Sequence, residues 1–268
     1  MKQLLIVTDL DGSLLDHDDY SFAAAVPALA TIWEREYPLI LASSKTREEM
    51  LVLQQQLDIC YPFICENGAA ICTPLGPEPG AEVRVEALAP QRSQVLALLT
   101  QLRDAENYRF TGFSDCNVDE IAAMTGLEPE AAALAAAREY SEPLLWQDTD
   151  ERLAEFRMAL AQHSMQAMQG GRFLSVAGCS DKAVAMQKLR ERYGGEEQTT
   201  IIALGDSPND ESMLAAADIA VIIRSARSAS LHPHGPDKIV RTTGSGPRGW
   251  QEAMSMLFES MHQANGES

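Results

Sequence analysis

Short apolar runs alternate along this chain with segments whose apolar residues recur at helical spacing. Leu4-Leu5-Ile6-Val7-Thr8 reads as a buried parallel strand, and it stops abruptly at Asp9-Leu10-Asp11-Gly12. Residues 22–36 are predicted helical, with Ser21 as N-cap, and Pro38 introduces a second strand, Leu39-Ile40-Leu41-Ala42. That strand ends in Ser43-Ser44-Lys45-Thr46, and a helix over Arg47–Leu57 follows. Strand, polar tip and helix thus occur twice, which favours a parallel sheet with right-handed crossovers. Phe63-Ile64-Cys65 then ends in Glu66-Asn67-Gly68-Ala69, where Asn-Gly predicts a tight turn into Ala70-Ile71-Cys72, a ligand role for this tip being the alternative.

Proline and glycine dominate residues 74–79, and the composition changes afterwards, so a domain boundary is expected near Gly80. Strand-like runs at 83–85, 108–113, 144–146 and 173–176 alternate with helical segments at 93–104, 118–124, 129–140 and 150–163. This mixture suggests an antiparallel sheet backed by helices. Beyond Gly178 the first pattern returns, with a helix at 182–193 and a core strand at 201–204 that ends in Gly205-Asp206-Ser207-Pro208-Asn209-Asp210. A helix at 211–217, a strand at 219–223 and a final helix at 250–261 complete it. The expected fold is α/β: residues 1–82 and 177–268 form one Rossmann-like domain with a parallel sheet and helices on both faces, and residues 83–176 form an inserted α+β domain.

With 39 acids against 21 bases the formal charge is −18, which argues against a nucleic-acid or anionic-membrane surface, since both require a positive field. A small molecule is the expected partner. An anionic one would need a local cationic pocket of lysines, arginines or a metal ion. The five cysteines, Cys60, Cys65, Cys72, Cys116 and Cys179, are odd in number and never spaced as Cys-x-x-Cys, so neither a disulfide framework nor a structural zinc site is expected. The first apolar run is too short for a secretory signal, and a reducing cytoplasm is the expected location. Oligomeric state is not readable.

In an extended chain, residues two apart share a face, so Asp9 and Asp11 project together while Leu10 turns to the core, and Gly12 permits a sharp turn beside them. Two like charges held this close call for a cation between them or a retained proton. In parallel sheets ligands sit at the carboxyl ends of strands, so Asp9, Ser43 and Asp206 are expected around one crevice, with Lys182 starting a helix nearby.

In this order, Asp9-Leu10-Asp11-Gly12, Ser43, Lys182 and Gly205-Asp206-Ser207-Pro208-Asn209-Asp210 resemble the four motifs of the haloacid dehalogenase-like (HAD) superfamily of phosphohydrolases. The insertion between the second and third motifs resembles the large α/β cap of its sugar-phosphate phosphatases. More narrowly, the chain is similar to the mannosyl-3-phosphoglycerate phosphatases through Ser43-Ser44-Lys45-Thr46, Glu66-Asn67-Gly68-Ala69, Gln169-Gly170-Gly171-Arg172-Phe173 and Gly246-Pro247-Arg248-Gly249-Trp250. Ser13 stands where threonine is usual, and Ala183 where glycine is common. The resemblance implies that Asp9 is a nucleophile and Asp11 a general acid and base. It implies Mg2+ held by Asp9, Asp206 and the backbone carbonyl of Asp11, and phosphate held by Ser43 and Lys182. Asn209 and Asp210 would orient Lys182 or metal-bound water. A phosphorylated glycoside bearing a carboxylate would further need a bidentate cation, for which Arg172, with Lys45, is the candidate.

Other signals are weaker. Gly244-Ser245-Gly246-Pro247-Arg248-Gly249 fits a dinucleotide pattern, but too little sequence follows for the strand with its acidic residue, so a loop before the last helix is expected. His232 and His234 lack an evident third metal ligand and are expected to face solvent.

Overall fold

The computed structural model describes residues 2–266. Its strands are β1 (Gln3–Thr8), β2 (Leu39–Leu41), β3 (Phe63–Cys65), β4 (Ala70–Pro74), β5 (Val83–Ala87) and β6 (Phe110–Gly112). They continue as β7 (Ser141–Trp146), β8 (Met165–Gln169), β9 (Leu174–Gly178), β10 (Thr199–Gly205), β11 (Ile219–Arg224) and β12 (Lys238–Ser245). The chain divides into two compact units, Met1–Ser43 with Lys182–Ser268, and Ser44–Asp181.

The first unit is built on a parallel sheet of order β12-β11-β10-β1-β2. Its central strands each carry an apolar run of Leu, Ile, Val and Ala, and Leu5, Ile6, Val7, Ile40, Ile201, Ala203 and Val221 are wholly buried, as strands covered on both faces must be. The helix Gly246–Gly266 packs on β11, on β12 and on the helix Val26–Glu34. It buries Trp250, Ala253, Met254, Leu257 and Phe258, a stripe at helical spacing. Each large apolar side chain so buried contributes about 1.5–3 kcal/mol relative to exposure. The helices Lys182–Arg192 and Glu211–Ala215 pack on each other, the second also on β10 and β11.

The second unit holds two antiparallel sheets, β3-β4-β5 and β6-β7-β9-β8. The expected turn at Asn67 is present, but it spans four residues between the Cys65–Ala70 pair, with Glu66 and Asn67 both in the left-handed region (φ 46° and 59°). The stretch near Gly80 is the loop of the hairpin that joins β4 to β5. A core of Val95, Leu99, Phe110, Leu144, Phe156 and Val176 underlies the four-stranded sheet, with Trp146 packed against Phe156. The α/β fold with a parallel core sheet and an additional antiparallel-sheet domain is thus present.

Several elements differ from expectation. β8 and β12 lie where no strand was predicted. β8 is an edge strand whose only fully buried residue is Met165, and β12 is an edge strand that buries Thr242 alone, so neither carries a buried apolar run. The segment 244–249, expected as a loop, is the end of β12 and the first turn of the last helix. Glu252 holds this junction by accepting the amides of Thr243 and Gly244. The helix expected over 129–140 ends at Ala136, because the amides of Glu139 and Tyr140 are drawn to the carboxylate of Glu66 instead. Among the described residues no helix is long and apolar enough to cross a membrane.

Candidate active site

β1 is flanked by β10 and β2, and Thr8, its last residue, pairs with Leu204 on one side and Leu41 on the other. That register places Asp9 level with Gly205 and Ala42, so Asp206 and Ser43 each lie one residue beyond on the adjacent strands. Asp9 is 5 %, Asp206 8 % and Ser43 1 % exposed. Asp11 is half-buried, and the chain turns beside it at Gly12, where φ is +80° and a Cβ would stand 2.9 Å from Asp206 Oδ2. Only glycine fits that close approach.

Lys182, 1 % exposed at the start of its helix, brings the cluster together. Its Nζ donates to Asp9 Oδ1 and to Asp210 Oδ1, both at 2.7 Å. Asp210 Oδ2 accepts the amides of Asp206 and Ser207 at 3.1 and 3.2 Å, so this carboxylate clamps the turn after β10 while aiming the lysine. The clamp requires Gly205, since a Cβ there would lie 2.5 Å from Asp210 Cβ. Asn209 is exposed, and its Oδ1 accepts from the Ser207 hydroxyl.

Oxygens of Asp9, Asp206 and Asp210 all lie within 4.8 Å of one another. Burial, reinforced by Asp210, pushes Asp9 well above the usual carboxylate range, although Lys182 opposes the shift. Asp206 is pushed up to about 6 by burial and by Asp210, with Ser225, Lys182 and Arg227 opposing. Burial works against the charge on Lys182, yet Asp210 and Asp9 outweigh it and hold the ammonium above its ordinary range. Two of the three carboxylates, Asp9 and Asp210, share the Lys182 ammonium, and the buried Oδ1 of Asp206 has no hydrogen-bond partner among the described residues. Both oxygens of Asp210 are taken by donors, so Asp9 and Asp206 are the carboxylates that could hold a cation, and hard oxygen donors suit a divalent one.

Of the residues expected at the site, Asp9, Asp11, Ser43, Lys182, Asp206, Asn209 and Asp210 belong to the first unit, and Lys45 and Arg172 to the second. Lys45 is half-buried just before the helix Arg47–Leu57. Arg172 is exposed in the turn between β8 and β9, and its guanidinium donates to the carbonyl of Met124. His232 and His234 are both exposed. Three residues beside the cluster escaped the sequence reading. Ser225, at the tip of β11, donates to the Asp206 carbonyl at 2.7 Å. Its signal was available, as a polar residue at a strand end like the others. The contact between Thr8 and Trp250 carried none, although each residue stands in a named segment, since it joins positions far apart in the sequence.

The model of the haloacid dehalogenase-like hydrolases matches residues 6–108 and 137–231, and the chain belongs to this family. Solved structures share its fold along nearly its whole length. A protein from Thermoplasma acidophilum is 18 % identical with a TM-score of 0.66, over 98 % of this chain and 99 % of that one. A haloacid dehalogenase-like hydrolase from B. subtilis is 19 % identical with a TM-score of 0.66, over 96 % and 100 %. A HAD subclass IIB sugar phosphatase is 16 % identical with a TM-score of 0.64, over 95 % and 98 %.

Proposed function

We propose that the protein is a magnesium-dependent phosphomonoesterase that converts mannosyl-3-phosphoglycerate to mannosylglycerate and phosphate through an aspartyl-phosphate on Asp9. One observation carries the chemistry: the Lys182 ammonium stands 2.7 Å from both Asp9 and Asp210 in a buried cluster with more carboxylates than cations. The family and its solved subclass IIB sugar phosphatase support the class of reaction. The narrower substrate rests on the motif resemblance, including Arg172 and Lys45 as partners for the glycerate carboxylate.

Asp9, held by Lys182, attacks the phosphorus, which splits one difficult hydrolysis into two easier displacements. Asp11, on the same side of the chain, gives its proton to the departing sugar alkoxide and then takes one from the attacking water. Ser43 and Lys182 hold the phosphoryl oxygens as charge moves among them. Asp210 fixes the lysine and the turn that carries Asp206. Magnesium, held by Asp9, Asp206 and the Asp11 carbonyl, would offset the charge of nucleophile and phosphate. Residues 83–176 serve as the cap that selects the substrate.

The test is phosphate release by the purified protein with magnesium on mannosyl-3-phosphoglycerate, its glucosyl analogue, 3-phosphoglycerate and mannose 6-phosphate. Asp9→Asn should lower turnover by about 10⁴-fold or more. Preference for simple sugar phosphates would leave the chemistry standing and sink the substrate. A phosphoaspartate that forms and persists without turnover would point instead to a phosphorylated switch.

A further inference from the structure

The indole of Trp250 is wholly buried in the first unit, and its Nε1 donates to the Thr8 hydroxyl oxygen at 3.0 Å. The Thr8 hydroxyl, also wholly buried, donates in turn to the backbone carbonyl of Asp9 at 2.7 Å. Neighbouring backbone groups are held by the sheet: Asp9 N–H donates to Leu204 at 2.9 Å, and Ala42 N–H donates to the Thr8 carbonyl at 2.8 Å. The Asp9 carbonyl lies just past the end of β1 at Thr8, and it is the Thr8 hydroxyl that meets it there.

The direction of this chain follows from its donors. An indole N–H can only donate, whereas a hydroxyl has one proton and rotates freely. With the indole occupying a lone pair of Thr8 Oγ1, the hydroxyl proton is left to the Asp9 carbonyl. The indole is in turn seated by the close approach of the last helix to β12. At Gly249 a Cβ would stand 2.2 Å from the Gly244 carbonyl oxygen and 2.7 Å from Thr242 Oγ1. The segment Gly246-Pro247-Arg248-Gly249-Trp250 is therefore shaped to bring one indole to the strand that carries Asp9.

We infer that Thr8 and Trp250 are positioning residues for Asp9, the last helix fixing a hydroxyl rotor that locks the Asp9–Leu10 peptide and with it the direction of the attacking carboxylate. The inference rests on the reading of Asp9 as the nucleophile of a phosphatase. A misplacement of about 1 Å at a reacting group can cost about 10²-fold in rate, so the loss of one such tether should be visible in turnover.

The experiment compares wild type, Thr8→Val, Thr8→Ser, Trp250→Phe and the Thr8→Val/Trp250→Phe double variant. Turnover of p-nitrophenyl phosphate with magnesium is one measurement. The other is occupancy of Asp9 by beryllofluoride, read by fluorine NMR, which reports on the carboxylate without any turnover. Thr8→Val and Trp250→Phe should each lower kcat about tenfold with KM nearly unchanged, and both should lower beryllofluoride occupancy. The double variant should lose no more than either single one, because one chain of bonds is broken, and Thr8→Ser should recover most of the activity. Should Trp250→Phe fail to fold, the valine and serine variants at position 8 decide by themselves. Full kcat and occupancy in folded Thr8→Val, equal losses in the serine and valine variants, or independent losses that multiply in the double variant would each overturn the positioning role. A wild type that neither hydrolyses phosphomonoesters nor takes beryllofluoride would overturn the phosphatase reading, and the inference with it.

Discussion

Both units bury acidic side chains, and they do so in opposite ways. In the second unit, Glu66 is 1 % exposed and accepts from the Glu139 and Tyr140 amides and the Ser141 hydroxyl. Glu142, with no exposure, accepts from the Arg92 guanidinium on one oxygen and the Ser114 amide on the other. Each carboxylate is matched by donors on both oxygens, which is how a buried charge is tolerated in a structural role. In the first unit, Asp9 and Asp210 flank Lys182 with Asp206 close by, and Asp206 keeps a buried oxygen with no donor among the described residues. Burial alone therefore does not mark a functional acid. A mismatch between charge and compensation is what singles out the Asp9–Asp206–Asp210 cluster as the candidate site.

The sharpest break of this contrast is Lys182→Met. It leaves Asp9 and Asp210 buried without their cation, which should cost about 3–5 kcal/mol in urea unfolding. Phosphate release should fall by about 10²–10³-fold. A variant with both unchanged would mean that the cluster is not organised by the lysine.

Next in size is a pH effect on the metal-free protein. Asp206 sits near 6 in the folded chain against an ordinary 3.8, so the folded state binds the proton more tightly than the unfolded one. That contribution, about 3 kcal/mol, is fully present below pH of about 4 and is lost as pH rises through about 6. With chelator present, the urea midpoint should carry this downward slope together with the one from Asp9, which burial also raises, and Asp206→Asn should make the slope shallower. A slope left unchanged in the variant would assign the effect to other groups.

Glu142→Gln probes the matched acid. Weakening its charged contact with Arg92 should cost about 2 kcal/mol of stability, while kcat per folded molecule stays the same. A fall in kcat without a fall in melting temperature would erase the distinction between the units. The smallest effect is expected at Arg172. If it meets a substrate carboxylate bidentately, Arg172→Lys should raise KM for mannosyl-3-phosphoglycerate by about five- to tenfold and leave mannose 6-phosphate unaffected.

Much of this arrangement was legible in the sequence because it is written in local terms. Buried parallel strands are apolar runs, and their ends are abrupt changes to polar residues, so Asp9, Ser43 and Asp206 could be placed at strand tips from the pattern of the first strand, the second and the strand before Gly205. The helix Arg47–Leu57 was readable for the same reason, and it opens with a reciprocal cap between Thr46 and Glu49. What was not legible depends on distant partners. β8 and β12 are strands because a neighbour pairs with them, not because their own residues demand it. The helix at Pro129–Ala136 stops where Glu66 claims the amides beyond it. No local pattern announces that Trp250 reaches Thr8.

The ion pair of Lys182 with Asp9 joins residues 173 positions apart. During synthesis the strand bearing Asp9 leaves the ribosome long before its lysine or β10 exists, and for that interval its apolar edge has only β2 to pair with. Non-local parallel pairing of this kind is slow and exposes the growing chain to aggregation. Asp9 thus meets its lysine last, when the later half of the sheet pairs beside β1, and a ribosome stalled in the middle segment carries a chain whose buried cluster does not yet exist.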